Sequence, residues 1–445
     1  MYQYNNHVVV MPYPGRGHLN PLINLCNLLS THCNRTTLFT IILTQEWLTI
    51  IESDPNPLTN IQFLTIPNVI PSEINRGTDP IGFFISAQNN MEAPFVQLLD
   101  QIEQSVNLII ADATLKWTID VANRRNIPVA AYWPMSASMF TMWYHVDLLK
   151  KHQHVYVDLS ERGEEYIDYI PGLSPMKVAD FPVVDRGLHD ILPDLVSVSK
   201  KAQSLLLATI YELEPEAVDA IKHKFKIPVY TVGSNIPNVR LQPTVPLNEH
   251  SYISWLDSKP PRSVLYVSLG SYLSVSSTQM DELLAGLKQS EVNFLWVARG
   301  EASQLSTNSG SNGLVVQWCD QLRVLSHSSI GGFLTHCGWN SVKESVFSGV
   351  PMLTFPITGE QIINSKVIVD DWKNGIKVKS GRNVVKSDEI VAVVKRLMNS
   401  SSVEMKEIME RVKKLEVVCR ESNVEGGSVT KDIDCFISNS FPASN

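Results

Sequence analysis

No apolar run in this 445-residue chain approaches the roughly 18 residues that a bilayer span requires. The opening stretch, MYQYNNHVVVMPYPGRG, lacks a basic region followed by a long apolar one. No secretory signal is expected, and the chain is assigned to the cytoplasm. The six cysteines, at 26, 33, 319, 337, 419 and 435, contain no C-x-x-C pair and read as free thiols in a reducing compartment. Asn34-Arg-Thr36 and Asn399-Ser-Ser401 fit the glycosylation pattern but, without a signal, read as chance matches. No run of like charge is long enough for a binding tail. Basic residues number 37 against 45 acids, for a net charge of −8, which leaves no electrostatic footprint for nucleic acid. No cluster with metal-ligand spacing is visible, and no repeat of short period.

What is present fits two globular domains. Apolar residues make up 44% of the chain, enough for ordinary cores. Short β-branched runs alternate with helical patterns, which predicts parallel sheets built from βαβ units. In the first half, strands are expected at His7–Met11, Thr37–Thr44, Ile61–Ile66, Asn107–Ala111, Pro128–Tyr132, Ser204–Thr209 and Val229–Val232. Helices are expected at His18–Ser30, Asp79–Gln104 with a break at Pro94, Thr114–Arg125 and Ser136–Lys151. Residues 153–195 read as loops with little secondary structure. The proline-rich, aperiodic stretch after Gly233 reads as a linker. A second alternating set follows, with strands at Ser263–Ser268 and Asn293–Ala298 and helices at Thr278–Gln289, Lys386–Met398 and Val403–Ser422. Gly300–Gly313, rich in Ser, Asn and Gly, reads as a mobile surface loop. Two doubly wound domains of this kind bind ligands beyond the C-terminal ends of their strands.

One segment is too rich in chemistry for a plain core element. From Trp318 to Gln361 it holds two Trp, two His, five Gly, two Glu and an Asn-Ser pair. Ile330–Leu334 and Pro351–Phe355 read as short buried strands. Between them His336-Cys-Gly-Trp-Asn-Ser341 turns into a helix at about Trp339–Ser348. A strand, a glycine turn and a helix N-terminus make a ready anion site.

In length and residue order this segment resembles the signature box of the plant family of UDP-sugar-dependent glycosyltransferases acting on small molecules, and the rest of the chain agrees in outline. The resemblance implies the GT-B fold, an α/β architecture of two Rossmann-like domains facing across a cleft. It places an acceptor-binding domain at 1–235, a linker at 236–250 and a UDP-sugar-binding domain at 251–427. A last helix, within 428–445, would cross back to the first domain.

The resemblance also assigns roles. Trp318 would stack on uracil, with Cys319 beside it. Glu344 would bind the ribose diol, with Gln321 nearby. His336, Gly338, Asn340, Ser341 and Ser271 would hold the diphosphate. Trp339, Glu360 and Gln361 would contact the hexose. The closing Gln is typical of glucose users; the acid before it is most often Asp, and Glu360 departs from that pattern. His18, after the first strand, and Asp112, at the end of another, become general base and orienting partner. Read alone, His18 also suits a capping or surface residue, and Asp112 a helix cap. Phe83, Phe84, Ser136, Phe140 and Trp143 are acceptor-pocket candidates by position, or core. The implied reaction is a metal-free, inverting transfer of glucose from UDP-glucose, a co-substrate rather than a bound cofactor, to a small lipophilic metabolite, by a monomer. C-glycosylation and a non-catalytic sugar-nucleotide binder are alternatives. A nicotinamide-dependent dehydrogenase is excluded: Gly15-Arg-Gly17 is followed by Asn20 where that fingerprint needs glycine, and no acid ends the second strand.

Overall fold

The computed structural model describes residues 4–33, 36–51, 59–181, 192–233, 236, 251–270, 275–298, 310–378 and 384–441. The first part holds β1 (Asn6–Met11), β2 (Thr37–Thr44), β3 (Ile61–Ile66), β4 (Leu108–Asp112), β5 (Val129–Trp133), a small antiparallel pair β6 (Tyr166–Ile167) and β7 (Met176–Lys177), β8 (Ser204–Leu207) and β9 (Val229–Thr231). Seven of these form one parallel sheet in the order β3-β2-β1-β4-β5-β8-β9. The central strands are buried along almost their whole length. That is why they read as unbroken apolar runs rather than alternating ones.

The second part holds β10 (Val264–Ser268), β11 (Asn293–Val297), β12 (Gly313–Val316), β13 (Ile330–Thr335), β14 (Met352–Thr354) and β15 (Gly375–Lys377). They form a second parallel sheet, β12-β11-β10-β13-β14-β15. Each sheet winds outward in both directions from its first strand. The crevices lie between β1 and β4 and between β10 and β13, where such sheets hold ligands.

Several helical expectations are corrected. The helix expected over Asp79–Gln104 is two, Pro80–Asn90 and Glu92–Gln101. The break is at Met91; Pro94 lies in the first turn of the second helix, where a missing N–H costs nothing. Ser136–Lys151 is likewise two helices, Ala137–Tyr144 and Val146–Lys151. The described part of residues 153–195 holds little secondary structure, as expected: the β6–β7 pair, a four-residue helix at Leu159–Arg162, a 3-10 turn at Val178–Asp180 and the start of the helix Leu192–Val198. The helix Pro215–Lys224 was not expected. Ser271, residues 182–191, the expected linker except Ile236, and most of Gly300–Gly313 lie outside the described residues.

The last helix, Ser428–Ser440, returns to the first sheet. Asp432 accepts hydrogen bonds from Thr231 N and Oγ1, both at 2.7 Å. His32 Nδ1 lies 2.8 Å from Asp434, and Phe436 packs edge-on against Tyr230.

Candidate active site at the facing strand ends

β1 ends in the loop Pro12–Gly15, and the helix Arg16–His32 begins at once. His18 therefore sits in the first turn of that helix, beside the crevice between β1 and β4. Asp112 is the last residue of β4 and is fully buried. His18 Nδ1 lies 2.9 Å from Asp112 Oδ2. Three further donors fix the carboxylate: Tyr13 N at 3.3 Å on Oδ2, and Thr114 N at 3.0 Å and Thr114 Oγ1 at 2.6 Å on Oδ1. With Nδ1–H given to Asp112, the lone pair on Nε2 is left as the ring's base. The His18 side chain keeps 18% exposure, so it is reachable.

The second sheet supplies the opposite wall. Trp318, just after β12, is 49% exposed despite its size. An aromatic face left open in this way has room to stack on a flat ring. Gln321 Nε2 donates to Ser341 Oγ at 2.9 Å and to Glu344 Oε2 at 2.7 Å, while Tyr266 donates to Gln321 Oε1 at 3.2 Å. Cys319 is buried with its Sγ 3.4 Å from the Tyr266 hydroxyl, so its thiol is not presented to the cleft.

β13 ends at Thr335, and His336 follows. Burial pulls the His336 imidazole down to about 4, so it is neutral near pH 7. It can offer a hydrogen bond to an anion but no positive charge. Two glycines make room for this ring. A Cβ on Gly270 would lie 2.7 Å from His336 Nε2, and one on Gly338 only 2.5 Å from it. Gly338 is also the N-cap of the helix Trp339–Phe347. Asn340 does not stand free in that first turn: its Nδ2 donates to Gly17 O at 2.8 Å. That bond joins the second domain to the residue before His18.

The Trp339 side chain and backbone face different ways. Its side chain is 2% exposed, its indole N–H donates to Ala208 O at 2.9 Å, and its ring lies 6.1 Å from Trp372. The side chain is committed to the contact between domains. Its backbone N–H donates to Glu360 Oε1 at 3.3 Å. Burial pushes the Glu360 carboxyl up to about 7, opposed by that N–H, by His18 and by Lys343. Its Oε2 is buried with no hydrogen-bond partner. Gln361 Oε1 accepts from Ile357 N at 2.8 Å and Thr358 N at 3.2 Å, which leaves its amide N–H groups as donors.

The five acceptor-pocket candidates separate. Phe83 and Phe84 each lie 6.2 Å from the Tyr13 ring, which is 4.9 Å from His18. Phe140 packs on Trp133 and Phe225, Trp143 on Phe181, and Ser136 is a buried N-cap accepting from Met139 N. Those three are core, because the helix that carries them is buried around nearly its whole circumference.

Sequence reasoning missed Tyr13 and Arg76. The Arg76 guanidinium lies 5.5 Å from the Tyr13 ring and 5.1 Å from that of Phe83. The loop position of Tyr13 between two prolines was a usable signal; nothing in the sequence pointed to Arg76. Among the described residues, no three His, Cys, Asp or Glu side chains are grouped to hold a metal ion, and no helix is long and apolar enough to cross a membrane.

The chain is similar to known proteins in sequence and in fold. Residues 218–416 match the family described as UDP-glucoronosyl and UDP-glucosyl transferase. UDP-glycosyltransferase 87A1 of Arabidopsis thaliana is 44% identical over 435 residues, spanning 96% of this chain and 98% of that protein. Phytolacca americana UGT2, solved with UDP-2fluoro-glucose and pterostilbene, superposes with a TM-score of 0.83 at 28% identity, over 99% of this chain and 100% of its own. Medicago truncatula UGT71G1, solved with UDP-glucose, gives a TM-score of 0.83 at 26% identity, over 98% of each chain.

Proposed function

The chain belongs to the UDP-glycosyltransferase family, and from that premise we propose that it is an inverting, metal-independent glucosyltransferase that uses UDP-glucose and acts on a hydroxyl of a small lipophilic metabolite. Its fold is GT-B, and glycosyl transfer from a UDP-sugar is its class of reaction. The observation that carries the finer reading is the His18–Asp112 pair at 2.9 Å, set one residue from the Asn340–Gly17 bond between the domains.

The acceptor hydroxyl lies against His18. Nε2 takes its proton as the oxygen attacks the anomeric carbon. The new C–O bond forms as the bond to the β-phosphate oxygen breaks, and UDP leaves with that electron pair. Attack opposite the leaving group turns an α-linked donor into a β-glucoside. Asp112 keeps the proton on Nδ1 and stabilises the imidazolium that forms. Trp318 stacks on uracil, Glu344 and Gln321 take the ribose, and the Cys319 backbone lies alongside. Neutral His336, Ser341 and the first turn of helix Trp339–Phe347 meet the diphosphate as hydrogen-bond donors. Ser271 is kept in that role by resemblance. Glu360 and the Gln361 amide read the glucose hydroxyls. Tyr13 and Phe84 line the acceptor side, with the buried Phe83 packed behind them. Such an aromatic wall suits a flat phenolic or terpenoid acceptor, and the Phytolacca relative was solved with pterostilbene.

The test is product analysis. Purified protein is incubated with UDP-glucose and a panel of flavonoids, simple phenols, terpenols and plant hormones, and the products are read by mass spectrometry. A product that gains one hexose and is cleaved by a β-glucosidase is expected. A hexosylated product that resists the glycosidase and acid would make the enzyme a C-glycosyltransferase. Saturable UDP-glucose binding with no product across the panel and a plant metabolite extract would overturn the transfer reading.

A further inference from the structure

The helix Trp339–Phe347 serves two partners at once. Ser341 and Glu344 face the Gln321 side. Trp339 and Lys343, four residues apart, share another face. Both end on one atom: the indole N–H of Trp339 and the Nζ of Lys343 each donate to the carbonyl oxygen of Ala208 at 2.9 Å. Ala208 directly follows β8, in the first sheet.

Lys343 is 1% exposed. Lysine is almost never buried to that degree unless it is paired. An apolar side chain would fill the same space without desolvating a charge, so packing alone gives no reason for an ammonium there. The groups around it, three carboxyls and a neutral thiol that burial pushes up to about 12, come from both domains. Glu344 and Glu360 stand on the donor side, Glu214 on the side of the first sheet, and Cys419 on the helix Val403–Glu421. Around Cys419 are Arg420, Glu212 and Glu416. Glu214 is itself buried. It accepts from Ala137 N at 2.9 Å, Ser138 N at 2.8 Å, Ser138 Oγ at 2.7 Å and Thr209 Oγ1 at 2.7 Å. Those bonds hold still the loop that presents the Ala208 carbonyl.

We propose that Lys343 is a positioning residue for glycosyl transfer: through the Ala208 carbonyl its ammonium holds the domain of His18 and Asp112 at working distance from the domain that binds the donor. This rests on the glycosyltransferase reading. Lys343 touches neither the reacting carbon nor the acceptor. It acts on turnover by fixing the gap between base and donor, where small displacements are costly. Burial lowers the Lys343 ammonium to about 8, with the carboxylates of Glu344, Glu360 and Glu214 pulling it back up. The charged form therefore holds at pH 7 and is lost as pH rises through about 8. A neutral amine donates a weaker hydrogen bond than an ammonium, so the docking loosens on the alkaline side.

The experiment compares turnover with donor-site binding in the full-length enzyme. kcat is measured with UDP-glucose and a non-ionising alcohol found in the acceptor panel, and the Kd of UDP alone by calorimetry, from about pH 6 to about pH 9.5. In the wild type, kcat should fall by about tenfold across the alkaline range, the worth of one hydrogen bond to a charged group, while UDP affinity stays within about twofold. Lys343→Met should lower kcat at pH 7 by about the same factor, keep UDP affinity and abolish the alkaline limb. A wild-type kcat that stays flat to about pH 9.5, a variant with unchanged kcat, or UDP affinity falling in step with kcat overturns the proposal. If Lys343→Met does not fold, the wild-type profile decides alone. No product from the wild type overturns the transferase reading and this proposal with it; product with a flat profile overturns this proposal only.

Discussion

At the scale of single residues, the site sorts its ionisable groups by environment. His18 Nδ1 and Asp112 Oδ2 are 2.9 Å apart, and in the proposed reaction the two act together, so neither would be replaceable alone. His18→Ala and Asp112→Asn should each lower kcat by about 10²–10⁴-fold, the usual worth of general-base catalysis, with UDP affinity unchanged in calorimetry. A variant that turns over at the wild-type rate would remove its residue from the mechanism. Glu360 makes a different prediction. Its carboxyl is held near 7 in the fold, above the ordinary 4.5, because burial disfavours the charged form. The folded state thus binds a proton that the unfolded chain has already released. That contribution to stability is complete below about pH 4.5 and is lost as pH rises through about 7. Glu360→Gln cannot ionise, so its melting temperature should rise relative to the wild type between pH 5 and pH 8. Parallel curves over that range would show that the carboxyl is not desolvated. If the ionised carboxylate is what accepts the glucose hydroxyls, kcat/KM for UDP-glucose should climb through the same pH range in the wild type and stay flat in the variant.

At the scale of elements, the donor side depends on how strands end. β10 and β13 are neighbours, and the turns after them meet at His336. The imidazole has space only because Gly270 and Gly338 carry no Cβ. The two glycines differ in kind. Gly270 has φ +87, a backbone region costly for other residues, and also faces the ring. Gly338 has φ −60, which any residue adopts, so its requirement is space alone. Gly338→Ala should therefore fold normally and displace the His336 ring, which in the proposed reaction meets the diphosphate. UDP affinity is expected to drop by about tenfold, one hydrogen bond to a charged group. Unchanged UDP affinity in calorimetry would show that His336 makes no such bond.

At the scale of the molecule, the two sheets are tied by a few long-range polar contacts as well as a shared core. Asn340 reaches Gly17, Trp339 and Lys343 reach Ala208, and Trp372 Nε1 donates to Leu213 O at 3.1 Å. The last helix adds a strap on the far side, where Asp432 accepts both Thr231 donors at the edge strand β9. Asp432→Ala leaves a buried threonine and its N–H without that acceptor. The variant should lose about 1–3 kcal/mol of unfolding free energy in urea, with kcat per folded molecule unchanged. Loss of kcat at full stability would instead place this strap in the control of domain position.

Much of this was legible in the residues themselves. Thr37–Thr44 and Ile61–Ile66 are strands with the bounds expected of them, because β-branched runs between turn signals carry their own period. The segment Trp318–Gln361 could be located, and His18 and Asp112 could be placed at strand ends, from local pattern and order alone. The short helix Pro215–Lys224 could not, since about three turns of mixed polarity leave little periodic signal. Nor could the direction of the Trp339 side chain, the burial of Lys343 or the position of Tyr13 over His18. Sequence patterns encode which residues share a face of one helix or strand. They do not say what that face meets. Ala208 lies 131 residues from Trp339 and 135 from Lys343, and Asp112 lies 94 from His18. The sequence by itself determined two doubly wound domains and the inventory of groups at their strand ends. Only the packing of one sheet's ends against the other's decided which of those groups bind ligand and which bind the other domain, because burial and long-range hydrogen bonds exist only once both domains are in place.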